Sequence, residues 1–130
     1  MNETTLLLRE IYNKEVTDIR RVAHYSNPEL DLEDIIKRDV RHSFISDHYN
    51  RFMTVTRLFY DGMLETGEDY FYASFILSQE EDITNYALGC LFATVAQKLG
   101  FLGNDAVPDV DTYVQQLKDA FYTKVTGLEG

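Results

Sequence analysis

The sequence predicts an all-α fold, a compact bundle of about five helices with a helical hairpin at its centre. Three observations predict it. Apolar residues recur at three- and four-residue spacing through five segments. No stretch keeps a two-residue alternation, so strands are not expected. The punctuating residues fall between segments: the only prolines are Pro28 and Pro108, and every glycine except Gly89 lies at a break or past an end. At 130 residues the chain is expected to be a single helical domain, 1–130. A chain this long buries roughly two thirds of its unfolded surface, enough for a core without staples.

The first helix is expected from Glu3 to His24. Leu7, Ile11, Ile19 and Val22 form an apolar face, with Leu8, Tyr12 and Val16 beside it. Ser26-Asn27-Pro28 ends it, because proline disfavours helix in the residue before it. The second starts at Asp31, whose side chain can accept from an early backbone N–H, with Asp34 in the first turn. Ile36, Val40, Phe44, Phe52, Val55 and Phe59 carry its stripe to about Gly62. That is long for a globular helix. A break is expected between Ser43 and Asn50, where polar residues interrupt the stripe.

The third helix opens at Thr66, which with Asp69 makes a variant capping box. Tyr70, Ala73 and Leu77 share one face, Phe71 and Phe75 the next, and the helix ends near Gln79. The fourth starts after Glu81 and ends at Leu99, with Gly100 as a left-handed C-cap. It is apolar nearly all round, the pattern of a central helix. Gly89 in its interior costs about 1 kcal/mol relative to alanine, so close packing is expected there. Phe101 to Pro108 is a loop. Asp109 to Thr126 is the fifth helix, with Val110, Tyr113, Val114, Leu117, Phe121 and Val125 as its stripe.

The central hairpin is also the part with a family likeness. Helix, short acidic loop, then a helix with small residues inside is the unit of tetratricopeptide and Sel1-like proteins. The run Thr66, Asp69, Tyr70, Phe71, Ala73, Ile76, then Tyr86, Leu88, Ala93, Ala96, Gly100 resembles a bacterial family of uncharacterised small tetratricopeptide-like proteins. The resemblance is strongest over Thr66–Gly100 and loosely reaches back to Asp39. It implies a tetratricopeptide-like hairpin and a binding scaffold. The chain departs from the pattern where relatives tend to carry histidines, here Tyr72 and Cys90, and it has no tryptophan. The hairpin occurs once, so flanking helices must cover it.

Composition narrows the function. The net charge is −10, which repels a phosphate backbone, so no nucleic-acid partner is expected. The acidic surplus favours a basic or neutral partner. Arg20, Arg21, Lys37, Arg38, Arg41, Arg51 and Arg57 could form one local positive face, but are expected to pair with nearby Asp and Glu. No apolar run spans a bilayer, and the N-terminus has no basic region ahead of its Leu run, so neither membrane insertion nor a signal peptide is expected. The lone Cys90 allows no internal disulfide and no thiolate zinc site, and suits a reducing, cytoplasmic setting. It is expected to be buried and structural rather than reactive.

No phosphate loop, nucleophile elbow, zincin motif, EF-hand or dinucleotide fingerprint is present, so no cofactor, metal or catalytic residue is assigned. His42 and His48 stand about 240° apart on an unbroken helix and do not converge. Asp39, Arg41, His42 and Asp47 form the densest ionisable cluster, which a solvated helix face also explains. Nine tyrosines and eight phenylalanines are more distinctive. They suit a core, and equally an aromatic recognition groove.

The leading expectation is a non-enzymatic protein- or peptide-interaction module. Its binding residues would be Tyr60, Tyr70, Tyr72 and Tyr86, with His48, Asp47 and Arg51 as polar members. One alternative is a small enzyme or ligand-binding accessory protein using His42, His48 and nearby carboxylates. Another is an acidic immunity, antitoxin or phage-encoded inhibitor protein. An uncovered apolar helix face would favour homodimerisation.

Overall fold

The structure, a computed structural model, describes residues 2–30, 32–107 and 109–127. They form an all-α bundle of five helices: α1 Glu3–Tyr25, α2 Asp34–Tyr60, α3 Gly67–Ser78, α4 Ile83–Lys98 and α5 Val110–Thr126. Asp31, the expected start of α2, and Pro108 lie outside the described residues. α3 lies at the centre, against α1, α2 and α4, and α5 closes on α4. One apolar cluster draws on all five helices, from Leu8 and Tyr12 through Val55, Phe71, Tyr72 and Ile76 to Phe92, Val114 and Leu117.

The helix starts follow local chemistry. The Asn2 side chain accepts from the Thr5 N–H at 2.7 Å. Thr66 and Asp69 form a reciprocal capping box at α3. Asp82 and Asp109 cap α4 and α5 from their side chains. α4 stops because Gly100 takes a φ of +86°, which lets the Phe101 N–H return to the Ala96 carbonyl at 3.0 Å.

α2 is one unbroken helix of 27 residues. The break expected between Ser43 and Asn50 does not occur. No glycine or proline lies inside the helix, and its inward polar residues, His48 and Arg51, meet carboxylates of α1 instead of solvent. The buried face of α1 is also turned from the expected one. Thr5, Leu8, Ile11, Tyr12 and Glu15 are buried and Leu7 is exposed, because α1 packs on α3 as well as α2.

α3, not α4, is the most enclosed helix: eight of its twelve residues are buried, against six of sixteen in α4, where Leu91 is exposed. The two approach closely along Ala73, Ser74, Gly89 and Ala93. A Cβ on Gly89 would lie 3.1 Å from the Ser74 carbonyl oxygen and 3.2 Å from the Ser78 nitrogen, so the glycine has its packing reason. No helix among the described residues is long and apolar enough to cross a membrane.

Candidate functional site

Two polar networks hold α1 to the rest of the bundle, and the larger contains two of the residues expected at a site. Its centre is Glu15, whose carboxylate is fully buried. The Arg51 Nη1 donates to Glu15 Oε1 at 2.8 Å, and the Arg51 Nη2 donates to Asp18. The His48 Nδ1 donates to Glu15 Oε2 at 2.5 Å, and its Nε2 donates to Glu80 Oε1 at 3.0 Å. Phe44 stacks on the His48 ring one turn earlier. α1, α2 and the α3–α4 turn therefore meet at one chain of charges.

Carboxylates on both ring nitrogens require an N–H on each, which makes His48 an imidazolium. Burial pulls its pKa down, but hydrogen bonds and charge from Glu15, then Glu80, outweigh this and hold it above the ordinary histidine value. A base needs a free nitrogen within reach of substrate. Here both are engaged, and Glu15 has no face open to solvent.

The second network lies at the start of α1. The Thr5 hydroxyl donates to buried Asp69 at 2.6 Å, while the other Asp69 oxygen accepts from the backbone of Glu65 and Thr66. One turn on, Glu68 accepts from Arg9 and from the Tyr72 hydroxyl at 2.8 Å, and Asn104 donates to that hydroxyl at 3.1 Å. Burial, then the Glu68 hydrogen bond, raises the Tyr72 pKa.

The tyrosines expected to line one groove do not share one. Tyr72 is fully buried, its ring against Tyr12, Phe71 and Phe101. Tyr86 is buried under the Lys124 ammonium. Tyr70 packs edge-on to Phe92. Tyr60 is 80% exposed on α2, at the mouth of a small cavity where the Thr56 hydroxyl is buried without a partner. The physical reason is that α3 packs against α1, α2 and α4, so its tyrosines serve the core. The same holds for Tyr113, whose hydroxyl burial pushes up to about 12. Cys90 is buried, its thiol donating to the Leu117 carbonyl at 3.4 Å, and burial raises its pKa.

A groove does open between α1 and α2, of about 560 Å³, and it contains Asp47 and Arg51. Leu7 and Ile11 form its apolar floor, and Glu10, Lys14, Asp18 and Asn50 its walls. The cations in it are committed: Lys14 lies 3.1 Å from Glu10, and Arg51 is held by Glu15 and Asp18. Asp47 is exposed and has no partner among the described residues. His48 is not part of the lining. His42 is exposed on another face of α2 and does not approach His48, and no group of metal ligands forms among the described residues.

Of the seven cations expected to be ion-paired, Arg51 alone is, among the described residues; Arg21 lies over the Tyr25 ring. Sequence reasoning missed Glu15, Asp18 and Glu80. A signal for Glu15 existed: it continues the spacing of Leu8, Ile11 and Tyr12, and a carboxylate on a buried stripe demands a cation.

Comparison with protein-family models, with curated proteins and with solved structures finds no match to this chain.

Proposed function

We propose that the protein is a non-enzymatic interaction module that holds a basic peptide or protein segment in the α1–α2 groove. The observation that carries this is the uncommitted Asp47 carboxylate above an apolar floor of Leu7 and Ile11, in a groove whose cations are already paired. Its volume is in the range of ordinary ligand sites. An aliphatic side chain would cover the floor, and a neighbouring Lys or Arg would reach Asp47. In this reading the α3–α4 hairpin is a tetratricopeptide-like scaffold beneath the groove, not the recognition surface. The closed state of His48 and Glu15 argues against a catalytic alternative built on them.

The test is to pan a random peptide library on the full chain and titrate the enriched peptides by calorimetry. Enriched peptides should pair a Lys or Arg with an aliphatic residue. Asp47→Lys, at an exposed position, should weaken them about tenfold or more while leaving the melting temperature unchanged. Peptides that bind Asp47→Lys and Leu7→Glu as tightly as the parent would refute the groove.

A further inference from the structure

α2 presents a second face, about 140° around the helix from the groove, that nothing among the described residues covers. Val55 is the one buried residue of its 27. Ile35, Ile45, Tyr49, Met53 and Tyr60 are 41–80% exposed and fall within a stripe about 80° wide. At 1.5 Å per residue the stripe runs about 38 Å.

We propose that this stripe docks on the same stripe of a second copy, the two α2 helices antiparallel about a two-fold axis near Asp47 and His48. Four features of the stripe point to a second copy as the occupant.

The stripe is self-complementary under reversal. Turned end for end about that axis, Ile35 lies opposite Tyr60 of the second copy, His42 opposite Met53, and Ile45 opposite Tyr49. Bulky residues thus alternate with smaller ones along the contact, and Tyr49 sits near the centre, where binding energy concentrates.

The charges obey the same axis. Asp39 and Arg57 lie about five whole turns apart, hence on one flank. Like flanks meet in an antiparallel pair, so Asp39 of each copy faces Arg57 of the other. Both are exposed and neither is ion-paired among the described residues.

The area suffices with its flanks. At about 200 Å² per large side chain the five residues expose roughly 600 Å², against the ~800 Å² per partner of a standard stable interface. Exposed Arg38, Asp39 and Arg57 flank it and extend it.

The overall charge permits the contact there. The chain carries −10, but residues 1–60 sum to about −1 and α2 itself has five Lys or Arg against three Asp. The contact therefore joins the least acidic elements of two acidic chains.

This contact is independent of the α1–α2 groove and stands or falls separately from it. Sedimentation equilibrium of the full chain tests it. The expected species is a dimer of about 30 kDa, twice the 15.1 kDa of the chain. Tyr49→Asp, at an exposed site, should raise the dissociation constant at least about tenfold with helicity and melting of the monomer retained. Asp39→Arg and Arg57→Asp should each dissociate the homodimer, and mixing the two variants should restore a heterodimer. A parent that remains monomeric throughout, a dimer indifferent to Tyr49→Asp, or mixed variants that stay apart would each overturn the proposal.

Discussion

The α3–α4 hairpin and the α1–α2 pair are both antiparallel helix pairs, yet they are joined by different physics. The hairpin is held by shape. Ala73, Ser74, Gly89 and Ala93 let two backbones approach, and Phe71, Tyr72, Ile76 and Phe92 fill the surrounding core. The α1–α2 pair is held by charge as much as by packing. α2 is more than twice the length of α3 and buries one residue where α3 buries eight. The Glu15, His48, Arg51 and Asp18 network joins the pair at its middle.

The contrast is broken most severely at Glu15. Glu15→Ala leaves Arg51 and His48 each short of a buried partner and should cost about 3 kcal/mol in urea unfolding. A loss below about 1 kcal/mol would mean that packing, not charge, joins α1 to α2.

The matching test in the hairpin is Gly89→Ala. Alanine gains about 1 kcal/mol in helix propensity. Its Cβ, however, would press on the α3 backbone at 3.1–3.2 Å. Overpacking of this kind costs about 1–3 kcal/mol. The net expectation is a destabilisation of up to about 2 kcal/mol, unaffected by pH. A more stable Gly89→Ala protein would show that the hairpin has slack.

The smallest effect sharpens the contrast through pH. The folded pKa of His48 is raised above its unfolded value, so its contribution is fully present below the unfolded pKa of about 6.5. It is lost as pH climbs through the folded value. Urea midpoints should therefore fall on going from mildly acidic to alkaline buffer, and His48→Gln should flatten that slope. A slope unchanged in His48→Gln would place the titrating group elsewhere.

Much of the fold was legible because helix punctuation is local. Thr66 with Asp69, Gly100, and Asp109 each specify an end through bonds within a few residues, and all three behave as read. The unbroken course of α2 was not legible. His48 and Arg51 look like interruptions until Glu15, more than thirty residues away, supplies their counter-charge. The same distance hid the site. Tyr60, Tyr70, Tyr72 and Tyr86 cluster in sequence, but their exposure depends on which helix is enclosed, and enclosure is a property of the whole bundle. Asp47 and Arg51 do share the groove, because both lie on the side of one helix that faces α1.

The Thr5–Asp69 bond has a consequence for the order of assembly. It joins residues 64 positions apart. Ser74 and Gly89, in the hairpin, meet across a span of about fifteen. Loop-closure entropy rises by about 0.6 kcal/mol per doubling, so bringing α1 onto α3 costs about 1.2 kcal/mol more than closing the hairpin. Before any contact energy is counted, conformations with the hairpin formed and α1 free outnumber the converse by roughly eightfold. Asp69 is then already in place, fixed by the backbone of Glu65 and Thr66, as an acceptor for Thr5.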